Sequence, residues 1–231
     1  MKKNLLFFTM IAFASAISAQ NIQLHYDFGK DRKYVTTTVE MFKPDKLGNT
    51  FFFIDFDYGI PGQDFMSNAY FEIARVMTIK KSRFGLHGEY NGGFGKIPVE
   101  GVNEFFSVNN AWLGGLDYSV NAKDFSKGFS AKLLYKQIQD KQSSFQLTGV
   151  WYVNFAKGKM AFTGFADFWK EDSDFNFDGT TDAEFTFLSE PQLWYNINTH
   201  FAAGGEVELS NNFAGMDGFN VMPTLGAKWT F

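Results

Sequence analysis

The sequence predicts an all-β fold: a transmembrane antiparallel β-barrel of 12 strands, preceded by a cleavable signal peptide. Three observations lead there. Aromatic residues make up 19% of the 231 residues, with 30 Phe, yet mean hydropathy is slightly negative at −0.19. After the N-terminal segment no apolar run is long enough for a spanning helix, which needs about 18 or more residues. Apolar and polar residues instead alternate in segments of about ten, the dispersed signature of a membrane barrel.

The N-terminus reads as a processing signal, not as part of the fold. Lys2 and Lys3 are a basic start, Leu5 to Ala16 an apolar run, and Ala14 to Gln20 a small-residue cleavage region. The expected division is therefore residues 1–19 as signal peptide and 20–231 as one outer-membrane barrel. The alternative, a membrane anchor, asks for a longer run. There is no Cys, so neither disulfides nor thiolate chemistry nor a lipoprotein attachment is available. Net charge is −4 and no basic patch occurs, so nucleic acid is not an expected partner.

Strands are expected at about 22–28, 33–42, 49–58, 66–79, 83–93, 106–120, 126–139, 143–155, 159–170, 184–197, 200–209 and 219–231. The number is even, as both termini on the inner side require. A strand sends successive side chains to opposite faces, so each has an apolar parity and a polar one. Taken in order, the apolar parity holds Val35, Val39 and Met41; Phe52, Ile54, Phe56 and Tyr58; Phe84, Leu86 and Tyr90; Trp112, Leu116 and Tyr118. It continues with Phe129, Leu133 and Tyr135; Phe145, Leu147, Trp151 and Val153; Phe162 and Phe168; Leu193, Tyr195 and Ile197; Phe201, Val207 and Leu209. The opposite parity holds Thr36, Thr38 and Glu40; Phe51, Phe53, Asp55 and Asp57; Glu72; His87 and Glu89; Asn109 and Asp117; Lys132 and Lys136. Gln146, Thr148, Tyr152 and Asn154 follow, then Phe165, Asp167 and Trp169; Gln192, Trp194 and Asn196; His200, Glu206, Glu208 and Lys228. A face full of carboxylates cannot be a dry core, so the apolar face is the outer one.

The last segment, FNVMPTLGAKWTF, sends Leu225, Ala227, Trp229 and Phe231 outward and Thr224, Lys228 and Thr230 inward. Outer-membrane barrels commonly close on such a strand, ending in Phe, and it is expected to pair with the first strand around Leu24 and Phe28. Two residues resist the alternation. Glu72 and Arg75 differ in parity, so one faces lipid unless a bulge lies near Ala74. Pro223 removes a ladder N–H from a closing strand. The expected connections alternate in length: 29–32, 59–65, 94–105, 140–142, 171–183 and 210–218 on the outer side, and 43–48, 80–82, 121–125, 156–158 and 198–199 on the inner side. Longer outer loops suit an outer-membrane barrel.

TTTVEMFKPDKLGNTFFFIDFDY at Thr36–Tyr58, with Tyr70-Phe71-Glu72-Ile73-Ala74-Arg75 and Phe165-Ala166-Asp167-Phe168-Trp169, resembles the Tsx-type nucleoside-specific channels of Gram-negative outer membranes. It resembles more closely an uncharacterised Tsx-like branch in Bacteroidetes. The resemblance covers about Thr36 to Phe231. It implies a monomeric barrel in the cell outer membrane with a narrow, nucleoside-passing pore lined by aromatic and ionisable residues. It departs at Glu72–Arg75, where this chain lacks a proline and one residue of the channel pattern.

Parity alone gives the candidate pore lining: Phe51, Phe53, Asp55, Glu72, Glu89, Lys132, Lys136, Tyr152, Phe165, Asp167, Trp169 and Trp194. Aromatic faces with carboxylates suit a flat base and a ribose. The opposing reading is solvated lining and space-filling rings. Lys132 and Lys136 could pair with acids across the lumen. Inward acids outnumber inward bases, which repels anions, so a small neutral or cationic permeant is expected over a phosphorylated one. Asp174, Asn176, Asp178 and Asp182 follow part of a calcium-loop spacing, but Phe185 stands where its final acid belongs. A plain solvated loop is the alternative, and no cofactor is expected. A lipid-modifying enzyme would need a nucleophile and base on the lipid side. His25, His87 and His200 all take the inward parity, so none can serve there. A structural or adhesion barrel with a closed lumen remains the alternative to a channel.

Overall fold

In a computed structural model the chain is described over residues 20–30, 32–59, 66–80, 82–99, 102–173 and 182–231. The expected signal peptide and the loop residues Asp174, Asn176 and Asp178 lie outside these residues, as does the side chain of Asp182. The strands are β1 (Gln20–Asp27), β2 (Val35–Asp45), β3 (Gly48–Tyr58), β4 (Met66–Thr78), β5 (Phe84–Val99), β6 (Val102–Asn121) and β7 (Lys127–Ile138). They continue with β8 (Ser144–Phe155), β9 (Met160–Ser173), β10 (Asp182–Ser189), β11 (Gln192–Asn196), β12 (Phe201–Phe213) and β13 (Met216–Thr230). Neighbours in sequence pair antiparallel except β10 and β11, and β1 pairs with β13 from Asn21 opposite Thr230 to Asp27 opposite Thr224. The sheet therefore closes on itself and has no free edge.

β10 and β11 are two halves of one stave. Both pair with β9 and β12, and the register is unbroken, with Ser189 opposite Ala166 and Gln192 opposite Thr163. Only Glu190 and Pro191 interrupt it, because Pro191 has no N–H to give the ladder. The wall thus has 12 staves, as the sequence predicts.

The strands are longer on the outer side than the sequence reading expects. Residues 94–99 and 102–105 belong to the arms of the β5–β6 hairpin instead of a loop, and β12 and β13 likewise extend into 210–218. Gly92 and Gly93 close the expected strand 83–93. Here they stand at a β-bulge, where the pairing shifts between Asn91 and Gly93. The expected contrast between outer loops and inner turns reappears mainly as strand length.

The two faces separate as alternation requires. Leu86, Trp112, Leu116, Leu133, Tyr135, Leu147, Leu193, Tyr195 and Leu225 are exposed, while Gln23, His25, His87, Asp117, Lys136, Gln146, Thr148 and Ser210 are buried. In a single-walled barrel this means apolar groups outside and polar groups in the lumen, the inverse of a soluble protein. Aromatic pairs such as Phe84–Tyr118 at 5.0 Å and Tyr90–Trp112 at 5.5 Å cover the outer surface.

Both resistant residues find places. No bulge occurs near Ala74, since Phe51 pairs with Ala74 and Thr50 with Arg75 in unbroken register. Arg75 faces outward at the rim that holds the chain ends, here the inner rim, and binds Asp45 there. The Pro223 carbonyl accepts the Phe28 N–H at 2.9 Å, just past the last β1–β13 pair. Its missing N–H therefore falls at the end of that ladder, beyond the last β1–β13 pair. Two inward expectations are corrected. His200 lies in the inner turn and stacks on the outward Trp229 at 5.4 Å and 19°, because that turn carries it past the wall. Asn109 is exposed beyond the β5–β6 bulge, above the end of β7.

Candidate functional site

The lumen wall is a set of short polar ladders. On β2–β4, Thr36 donates to Asp57 at 2.7 Å, Thr38 to Asp55 at 2.5 Å and Asn68 to Asp57 at 3.2 Å. The Tyr70 hydroxyl donates to Glu72 at 2.7 Å. Phe53 lies 6.0 Å from Phe51 and 6.0 Å from Tyr70, so three rings run along this wall beside the three anchored acids. Cross-strand pairing accounts for the contacts: Thr38 is opposite Asp55, and Asp55 opposite Tyr70.

On β5–β9 a second system is more deeply buried. Glu89 contacts the His87 ring at 2.8 Å and accepts from Asn91 at 3.0 Å. Lys136 donates to Gln146 at 2.7 Å, Gln146 to Thr148 at 3.1 Å and Thr148 to Asp167 at 2.5 Å. The Lys136 ammonium also sits 3.9 Å from the Trp169 ring centroid. Lys136 thus uses an amide and a ring, where the sequence suggests a cross-lumen ion pair. Lys132 interacts electrostatically with Glu89 and Asp167. Beside these groups Ala111, Leu113, Leu134 and Ile138 form a small apolar cluster inside the lumen.

A third system joins β11–β13 and β1. Trp194 donates its ring N–H to Gln192 at 2.9 Å, and Gln192 donates to Glu206 at 2.9 Å. Lys228 covers the Trp194 ring at 4.1 Å, and His25 meets its edge at 5.5 Å. Toward the outer rim, Arg32 from the first loop turns inward and grips Glu208 at 2.8 and 3.1 Å, with Asp27 at 3.2 Å.

The structure thus turns Phe51, Phe53, Asp55, Glu72, Glu89, Lys132, Lys136, Phe165, Asp167, Trp169 and Trp194 inward, by the register of their strands. Tyr152 is also inward, but near the inner mouth, where it donates to Asn121 at 2.9 Å. Trp194 is 0% and Trp169 5% exposed, so both rings are covered. Phe51, Phe53, Asp55, Asp57, Glu72, Phe165, Glu190 and Glu206 stay partly exposed. These mark a path between β2–β4 and the facing staves β9–β12. The sequence reading does not single out Tyr70, Arg32 or Glu190. Tyr70 shares the parity of Glu72, and Glu190 that of Gln192, so alternation carried two residues further reaches both. Arg32 is a loop residue with no such signal. Among the described residues no His, Asp and Glu side chains group as metal ligands.

No curated protein matches the sequence. Among solved structures the fold is similar to the NanC porin, with a TM-score of 0.58 and 9% identity over 92% of this chain and 100% of that one. It is also similar to the KdgM porin, with a TM-score of 0.50 and 11% identity over 92% and 99%. At such identities the likeness is one of fold. By a family match over residues 19–231, the chain belongs to the family described as a domain of unknown function, DUF5020.

Proposed function

We propose that this protein is an outer-membrane channel for passive diffusion of small solutes, acting as a monomer and without enzymatic activity. One observation carries the reading. An apolar outer surface encloses a lumen whose partly exposed ionisable groups include Asp55, Asp57, Glu72, Glu190 and Glu206. A membrane wall needs the first feature, and an aqueous path needs the second. The shared fold of two porins supports it. Within this class, neutral nucleosides are the favoured permeants. The Phe51–Phe53–Tyr70 rings would meet the base, with Asp55 and Glu72 within reach of sugar hydroxyls. Carboxylates on the path disfavour nucleotides.

A closed-lumen structural barrel is the second reading. The covered Trp194 and Leu134, 0% and 1% exposed, favour it. Planar-bilayer recording separates the two. A channel gives stepwise conductance that nucleosides reduce and nucleotides do not. Conductance indifferent to nucleosides leaves a general pore, and insertion without conductance leaves the structural barrel.

A further inference from the structure

We infer that the inner rim of the barrel, from β2 round to β9, is a recognition surface for anionic phospholipid. The inference rests on the barrel lying in a membrane and not on conduction through it. The first support is charge. The turns that join β2–β3, β4–β5, β6–β7 and β8–β9 carry exposed basic side chains at their tips: Lys46, Lys80, Lys123, and Lys157 with Lys159. The fifth inner turn, residues 198–200, has no lysine or arginine. Among the described residues the acids at these turns are Asp45 and Asp124. Arg75 grips Asp45 at 2.6 and 2.9 Å, and Ser126 donates to Asp124 at 2.8 Å. One arc of the rim therefore keeps a large excess of positive charge.

The second support is where the basic groups point. Lys43 stands opposite Thr50, and Thr50 opposite Arg75, so all three share the outward face. Arg83 reaches the hydroxyl of the outward Tyr118 at 3.3 Å, and Lys127 stands opposite the outward Val153. These residues lie at the foot of the apolar wall, the height of lipid headgroups. A long basic side chain there lays its stem on apolar surface and its charge against phosphate. The third support is the apolar part of the same turns. Leu47 is 70% and Phe125 69% exposed, beside Lys46 and close to Lys123. At the headgroup boundary such side chains meet acyl chains instead of water. Phe125 has φ of +53° and Lys157 of +60°, in the left-handed region that glycine enters most easily. These turns hold a ring and an ammonium where glycine would be easier, which ties the side chains themselves to a use. Basic groups alone would suit any anion. Basic groups with apolar neighbours, at the end of a lipid-facing wall, suit an anionic lipid, which offers phosphate and acyl chain together.

The test is tryptophan quenching in vesicles of equimolar phosphatidylcholine and phosphatidylglycerol, with one lipid or the other brominated. Trp112 and Trp229 are half-exposed on the lipid face and report the lipid beside the wall. At low ionic strength wild type should favour phosphatidylglycerol by about threefold or more, and salt should bring the ratio toward one. Lys46→Gln, Lys80→Gln, Lys123→Gln and Lys157→Gln combined should remove most of that preference. All four side chains are exposed, so the fold stays intact. Lys30→Gln, Lys33→Gln and Lys170→Gln combined, at the outer rim, should leave the preference unchanged. A wild-type ratio of one at low salt overturns the inference. If polyglutamate then binds the barrel, the rim is a dock for an acidic protein instead. Equal loss in the inner and outer variants also overturns it, because basic charge at either rim would then do the same.

Discussion

The Arg75 guanidinium meets the Asp45 carboxylate at 2.6 and 2.9 Å on the outward face of the barrel, at its inner rim. Arg75 also donates to Thr50 at 3.1 Å, which fixes it on that face. A charge on the outer side of a membrane wall is costly at mid-depth and tolerable at the interface. The pairing thus marks where the apolar band ends.

This pair yields a pH prediction. Arg75, then the Leu47 and Gly48 backbone N–H groups, hold the Asp45 carboxyl well below its ordinary 3.8. A depressed carboxylate stabilises the fold above the unfolded value, and that contribution is lost as pH falls through the folded one. Asp45→Asn should therefore lower the urea midpoint of the refolded barrel at neutral pH. The difference from wild type should shrink progressively below pH 3.8. A constant difference down to strongly acid pH would show that titration of Asp45 contributes nothing.

Alternation alone places most of the wall, because a one-residue slip would turn every apolar side chain into the lumen. Phe52 and Phe53 are chemically identical neighbours, yet parity assigns them to opposite faces and the structure agrees. Two kinds of feature are not readable that way. One is the use of a break. Pro191 lies inside the expected strand 184–197, and only the facing Gly164 shows how the wall accommodates it. The other is burial within the lumen. Parity turns Trp169 and Trp194 inward but cannot show that Lys136 and Lys228 lie over their faces. Arg75 was ambiguous because its partner Asp45 lies 30 residues away in sequence.

Gly164→Ala should destabilise the barrel by about 1–3 kcal/mol, since the added methyl meets backbone at a conformation L-residues rarely adopt. The new atom would also lie 2.8 Å from the Trp151 ring. Gly88→Ala is the control, because nothing lies within 4 Å of its Cβ position. Urea unfolding in lipid vesicles measures both. Equal midpoints for the two variants would mean that the wall relaxes around Gly164 at no cost.

Nucleoside block of the current should weaken in Phe53→Ala and stay unchanged in Phe52→Ala, which alters only the outer surface. Trp169→Ala should behave differently from both. Its ring is covered by Lys136, so removal enlarges the lumen and frees an ammonium instead of deleting an accessible stacking face. Unit conductance should rise in Trp169→Ala, and block should be less affected than in Phe53→Ala. Single-channel recording with a nucleoside titration checks all three. Equal weakening in Phe52→Ala and Phe53→Ala would remove the aromatic wall from the mechanism.

Closure between the first and last strands can be tested covalently, because the chain has no Cys of its own. Leu24 stands directly opposite Ala227, and both point outward. Opposed antiparallel residues have Cα atoms about 4.5–5.5 Å apart, within the range a disulfide spans. The Leu24→Cys, Ala227→Cys double variant should therefore cross-link under mild oxidation in the folded barrel, giving a circular chain with altered mobility on a denaturing gel. Leu24→Cys with Leu225→Cys keeps the same face but moves the partner two residues along. That diagonal separation is about 7–8 Å, so it should cross-link far less. Preferential linkage of the second pair would mean that β13 closes on β1 in a shifted register. A two-residue shift would keep Thr224 and Lys228 inward but would break the contacts of His25 with Thr224 and with the edge of the Trp194 ring.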